Sequence, residues 1–343
     1  MKRRIPIHVV LAAAMLLVAG ASNNAAGEDF YKGKNVNFIV GNAPGGGYDT
    51  YTRLTARHIG KHIPGSPTAI VQNRPGGGGL VTANYLYNRS KPNGLTMGVW
   101  NSGLIVQQLL GTRSVKFEAD KFGWVGAPGV GLPMCAIMAF TGLKSLDEVI
   151  KSKRPLKMGA TGAGTTTADM PKILNGVLGT NFEVITGYSG SATIRVAMQR
   201  HEVDGFCIGW ESMRATARPM LEAKGGDRMI PIIIHGKSDD PPVKNLPRVT
   251  RVIKGKENLA TFNAWVSSYE FQRPISTPPG VPKERLELLR RAYRDTLKDP
   301  QLLAEAKKSK LLIDYVSGEQ IDKFVAEILA TPPKSREALK FLK

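Results

Sequence analysis

Val36-Asn37-Phe38-Ile39-Val40-Gly41-Asn42-Ala43-Pro44-Gly45-Gly46-Gly47-Tyr48-Asp49 is the stretch that decides the fold class. The apolar run reads as a strand, the glycines as a turn, and the residues from Tyr48 as a helix. Asn73-Arg74-Pro75-Gly76-Gly77-Gly78-Gly79 repeats this order about thirty residues on, after Ala69-Ile70-Val71. Glycines at such a turn remove Cβ atoms, so backbone N–H groups can converge on an anion at a helix N-terminus. That end of a helix carries roughly +0.5 of partial charge and unpaired donors. Asp49 stands in the first turn, where it caps the helix or holds a bridging water. A third segment, Gly159-Ala160-Thr161-Gly162-Ala163-Gly164-Thr165-Thr166-Thr167, follows a short strand and leads into a helix. Its backbone donors and hydroxyls suit the far end of an anion held by the first loop. The competing reading of each loop is a tight turn with no ligand.

Strand and helix signals alternate along most of the chain, the pattern of α/β units with mostly parallel sheets. A length of 343 residues suggests two domains. Three stretches are loop-like, at 126–133, 235–247 and 273–282, and the first and third are expected to carry the chain between domains. Helices are expected to open at Tyr48, Val81, Ser145, Thr165, Ser191, Ser212 and Pro282, with Asp299-Pro300 interrupting the last.

Residues 1–21 read as a signal peptide, with Lys2, Arg3 and Arg4 ahead of an apolar run and Ala19-Gly20-Ala21 as the cleavage site. The run is shorter than the ~18 residues of a membrane span. The chain is therefore expected to be exported and soluble in a bacterial periplasm. The formal charge is +19, and removing 1–21 takes away three positive charges and no acids, leaving 19 − 3 = +16. A basic surface favours anions in general. Lys and Arg are scattered without an aromatic-interleaved stripe, so nucleic acid is not expected as a partner. The two cysteines, Cys135 and Cys207, lie in apolar runs. Buried thiols and a disulfide both remain open.

Other chemistry fits poorly. The first loop lacks the Gly-x-Gly-x-x-Gly register of a dinucleotide site, and no Gly-Lys-Ser/Thr follows it. Gly187-Tyr188-Ser189-Gly190 is one residue short of a nucleophile elbow. His58 and His62 have the i, i+4 spacing of metal ligands, but no third ligand is apparent. Trp100, Trp210 and Trp265 read as packing residues. No catalytic residue, metal or cofactor is expected.

At these residues the chain resembles the tripartite tricarboxylate transporter substrate-binding proteins, the Bug receptors. The family's Pro-Gly-Gly-x-x-Asp loop is matched by Pro44-Gly45-Gly46-Gly47-Tyr48-Asp49, and its Asn-Arg-Pro-Gly-x-Gly-Gly by Asn73 to Gly79. Pro92-Asn93-Gly94-Leu95-Thr96, Gly162-Ala163-Gly164-Thr165 and Tyr188-Ser189-Gly190 match three further segments. Three departures bear on the ligand: Ala168 replaces a common His, Gly209 stands at the usual acidic place after Asp204, and Ser268-Tyr269-Glu270-Phe271 replaces Ser-Trp-Phe-Gly. The resemblance implies a two-lobed, type II-like periplasmic-binding-protein fold with the ligand cleft between lobes. Lobe one would comprise 28–127 and 266–343, and lobe two 128–265. It further implies a monomeric, non-enzymatic receptor that delivers a small carboxylate to membrane permease subunits, or presents it to a sensor histidine kinase. The expected ligand-binding residues are Pro44, Gly45, Gly46, Gly47, Tyr48, Asp49, Ser102, Thr161, Gly162, Gly164, Thr165, Thr166, Tyr188 and Asp204. Tyr48, Tyr188 and Tyr269 form an aromatic wall to the cleft or simply pack.

Overall fold

The computed structural model describes residues 30–343, so the expected signal peptide lies outside the described residues. Eleven strands form two sheets. The first contains β1 (Asn35–Val40), β2 (Thr68–Asn73), β3 (Thr96–Val99), β4 (Gly123–Ala127), β10 (Ile275–Thr277) and β11 (Val316–Ser317), in the order β11-β4-β10-β3-β1-β2. The second contains β5 (Pro133–Met138), β6 (Leu156–Gly159), β7 (Phe182–Ile185), β8 (Gly205–Gly209) and β9 (Met229–Ile234), in the order β7-β6-β8-β5-β9.

The expected mostly parallel sheets are in fact mixed. Strands joined by helical crossovers are parallel, as β1 is to β2 and β3, and β6 to β7 and β8. Strands next to the inter-sheet connections are antiparallel: β10 to β3 and β4, and β5 to β8 and β9. A strand that arrives from the other sheet is under no crossover constraint to run parallel.

Local chemistry sets the helix starts. Ser145 accepts from Glu148 N at 3.3 Å, and Thr165 likewise from Ala168 N. Ser317 and Gln320 form a capping box. Asp299 ends the long helix Lys283–Lys298 and caps Gln301 N of the next, Pro300–Lys308. His58 and His62 meet carboxylates of this region, Glu305 at 2.8 Å and Asp299 at 2.9 Å, and so pin the helix Gly47–Ile59 to it. No cluster of three or more candidate metal ligands occurs among the described residues. Among these residues, too, no helix is long and apolar enough to cross a membrane.

Trp100, Phe117, Phe122 and Trp124 form an aromatic cluster under the first sheet, with Trp100 Nε1 donating to Ser276 Oγ at 2.9 Å. Trp210 and Trp265 are buried as well. Cys135 and Cys207 face each other across β5 and β8 and form a disulfide, which settles the two alternatives. The connections between the sheets pair with one another: Gln272 N donates to Gly129 O at 2.8 Å and Gly131 N to Tyr269 O at 2.7 Å.

Candidate ligand cleft

Strand β1 delivers the first glycine loop to the edge of the second sheet. Gly45 takes φ +77°, a conformation that favours glycine, and its N–H donates to Asp49 Oδ2 at 3.0 Å. Asp49 also accepts from Arg53 and Asn73, both at 2.9 Å. Burial pushes the Asp49 carboxyl up, but these hydrogen bonds outweigh it and hold its pKa below the ordinary carboxylate value. The third loop repeats the device: Gly164, at φ +78°, donates to Asp169 Oδ1 at 3.1 Å. In each loop a first-turn aspartate locks a left-handed glycine, so Asp49 shapes the turn rather than facing the cleft.

The loops meet across a closed cleft. Ala43 N donates to Ser189 O at 2.9 Å, and Arg195 Nη2 to Gly45 O at 3.1 Å. A Cβ on Gly162 would lie 2.9 Å from Gly77 C, and one on Gly78 would overlap the Thr165 methyl. The second glycine loop is thus a seam that lets two backbones touch on closure. It lies outside the cavity lining.

The cavity between the loops measures about 40 Å3, and its lining contains no Asp, Glu, His or Cys. Three helices point their N-termini at it, through Gly46 and Gly47, through Thr165 and Thr166, and through Ser191. Gly46 and Gly190 have no side chain with which to cap their helices, so first-turn N–H groups stay available. The shorter helix Trp210–Thr216 adds Gly209 and Ser212. Arg273 is the one charged side chain in the lining. Asn42 Oδ1 and Arg273 Nε are buried without a hydrogen-bond partner. The arrangement offers an anion converging donors in a water-poor space, where charge-assisted hydrogen bonds are strongest.

Of the residues singled out in the sequence, Gly46, Gly47, Tyr48, Thr161, Thr165 and Thr166 line this cavity. The remaining eight do not. Pro44 and Gly45 are exposed on the outer rim of the turn. Ser102 sits behind the cleft and accepts from Gln272 Nε2 at 3.3 Å. Gly162 and Gly164 belong to the closing seam, against Gly77 and Leu104. Tyr188 is half-buried beside Gly159, packed against the core of the second sheet. Asp204 lies at the far end of β8, where it pairs with Arg154 and accepts from Lys157 N at 2.8 Å. Asp204→Ala is accordingly expected to lower stability by about 1–3 kcal/mol, the loss of a buried carboxylate's hydrogen bonds to Arg154 and Lys157 N. Carboxylate affinity should stay within about twofold of wild type. Melting curves and a titration check both halves, and a tenfold affinity loss would return Asp204 to the site.

No protein-family model matches the chain. A UPF0065 protein of Bordetella bronchiseptica is 23% identical over 282 residues, covering 81% of this chain and 77% of the relative. The periplasmic binding protein BugD superposes with a TM-score of 0.70 at 20% identity, over 91% of this chain and 98% of its own. The fold is that of the Bug-type periplasmic solute-binding proteins. MatC from Rhodopseudomonas palustris, solved with bound malate, shares this Bug-type fold with a TM-score of 0.70 at 18% identity, over 90% of this chain and 99% of its own.

Within the Bug-type fold, the lining residues that the sequence did not single out are Asn42, Asn101, Thr167, Ser191, Ile208, Gly209, Ser212, Gln272 and Arg273. Two signals pointed toward some of them. Ser191 opens an expected helix, and Arg273 is a basic residue in an expected crossing. Gly209 and Glu211 explain the missing acid after β8: the carboxylate stands two residues later and folds back over the Gly209 Cα.

Asp169 is fully buried, with Oδ2 unpartnered, and burial pushes its pKa up to about 7. The unfolded chain ionises at the ordinary carboxylate value, so between there and about pH 7 the native state holds the extra proton. Stability from this group is therefore present at low pH and lost as pH rises through that window. Asp169→Asn, neutral throughout, should gain stability relative to wild type across the window and level off above it. Chemical denaturation at several pH values reads the difference, and a difference independent of pH would contradict the assignment.

Proposed function

We propose that this chain is a Bug-type solute receptor that captures a small carboxylate between two lobes in the periplasm and delivers it to a tripartite tricarboxylate-type permease. The observation that carries this reading is the convergence of three helix N-termini on a closed cavity lined by no acidic side chain. One carboxylate of the ligand would meet Gly46, Gly47 and Tyr48, and the other Thr165 and Thr166. Lobe one is taken as 28–127 with 266–343 and lobe two as 128–265, joined by the paired ribbon. The C-terminal residues Leu339 and Leu342 join a core cluster that spans both. The disulfide suits an oxidising compartment. The malate bound to MatC is a precedent for ligand class within the fold. A lining without a nucleophile and base pair favours a receptor over an enzyme. The protein is read as a monomer that binds one ligand without metal.

The test is a thermal-shift screen of the mature protein against acetate, succinate, malate, adipate and citrate, followed by calorimetry with and without a chelator. A carboxylate at 100 times its Kd should stabilise by ~2.7 kcal/mol, with one site and no effect of the chelator. No shift with any carboxylate, or binding abolished by chelation, would overturn the reading.

A further inference from the structure

Arg273 enters the cleft from the ribbon between the lobes and is 3% exposed. Four residues hold its guanidinium. Nη2 donates to Glu211 Oε1 at 2.8 Å and also to Ser212 Oγ, both from the second lobe. On the other side the cation lies 4.5 Å from the Tyr51 ring centre and 5.6 Å from that of Tyr48, on the first lobe's glycine-loop helix. Burial is the largest influence and would lower its pKa, but Glu211, Tyr51 and Tyr48 together outweigh it and raise the pKa, so the group stays charged. The backbone at Arg273 takes φ +58°, a left-handed conformation that a non-glycine residue adopts at a cost.

Nη2 of the guanidinium is therefore fixed, while Nε beside it is free. Nε is buried, has no hydrogen-bond partner, and faces the Gly47 end of the first loop, 3.5 Å from where a Cβ on Gly47 would stand. A buried N–H of a cation left open toward an anion-binding helix N-terminus is half of a charge-assisted contact. Helix N-termini alone accept a carboxylate or a neutral carbonyl oxygen. A guanidinium N–H among them favours a carboxylate over a neutral carbonyl oxygen, because the contact is then charged on both sides.

We propose that Arg273 reads the ligand's carboxylate through its Nε edge and makes the site select acids over their amides, with Glu211 as the positioning residue that turns that edge toward the cleft. The contact also ties occupancy to closure, because the same guanidinium touches both lobes. This inference rests on the carboxylate-receptor reading and adds the group that enforces it.

The experiment uses the mature protein and matched probes: the C3 to C6 linear dicarboxylic acids and their diamides, titrated at constant ionic strength. For whichever acid binds wild type, Arg273→Gln should weaken the acid at least tenfold and change the diamide less than threefold. Arg273→Lys keeps a charge beside Glu211 but removes the Nε–H, and should fall between the two. Glu211→Gln should keep the preference for acid while lowering its magnitude, as expected of a residue that acts through Arg273. Because Arg273→Gln strands a buried carboxylate, the double variant Arg273→Gln/Glu211→Gln serves as the folded control, with melting curves for all. Folded Arg273 variants that bind the acid as tightly as wild type, with unchanged acid-to-amide ratio, would overturn this proposal alone. Failure of wild type to bind any of the acids would overturn the carboxylate reading and this proposal with it.

Discussion

Gly47→Ala is expected to weaken carboxylate binding by about 10- to 100-fold without destabilising the protein, a cost of about 1.4–2.7 kcal/mol felt only on closure. Gly47 is the first residue of the helix Gly47–Ile59 and has no left-handed φ, so alanine suits its local conformation. Helix propensity alone would favour the change by up to about 1 kcal/mol. The obstacle lies across the cleft. A Cβ there would overlap Ser212 Oγ and stand 2.7 Å from Ser212 Cβ. On the proposed lobe division Ser212 lies across the cleft from Gly47, so the clash would arise only when the lobes meet. Ser212→Gly should therefore rescue Gly47→Ala, and the double-mutant cycle should show strong coupling between residues far apart in sequence. At Gly46 the nearest atom to a new Cβ is Ser191 Oγ at 2.9 Å, a flexible hydroxyl, so Gly46→Ala should cost much less. Gly47→Ala protein that is folded and binds as tightly as wild type would contradict closure at this seam.

Loss of the Cys135–Cys207 bond should be the largest stability change available to a conservative substitution. The bond closes a loop with a sequence separation of 72, for which chain entropy gives about 4 kcal/mol. It also joins the central strands β5 and β8, and β8 runs directly into Gly209 and Ser212 at the cleft. Cys135→Ala/Cys207→Ala, or a reductant on the wild type, should lower the melting temperature by roughly 5–15 °C. Carboxylate binding should persist below the new transition, because neither sulfur lines the cavity. An unchanged melting temperature in the double variant would mean that the bond adds nothing to the native sheet.

Much of the fold was legible because its signals are local. Ser145, Thr165, Ser317 and Asp299-Pro300 mark helix boundaries through their own side chains. The first and third loops, which line the cavity, were readable as strand–turn–helix loops because strand, glycine and helix follow one another within a dozen residues. Sheet polarity was not legible. The direction of β10 depends on where the chain re-enters the first sheet, which is a long-range fact. The site split along the same line. Gly46, Gly47 and the threonines sit on the loops that identify them, whereas Ser212, Gln272 and Arg273 arrive from distant segments by folding. Asp204 misled because an acid at a strand end is equally suited to tying two strands together. Glu211 escaped notice because a two-residue shift changes its task from facing a ligand to holding Arg273.

The measurement that bears most directly on the account is a crystal structure grown with the carboxylate that gives the largest thermal shift. It should show one ligand between the lobes, a carboxylate oxygen within hydrogen-bond distance of the Gly47 or Tyr48 N–H, and its other end at Thr165 and Thr166. A ligand seated elsewhere, or a cleft that stays empty while the protein is demonstrably saturated, would contradict the account.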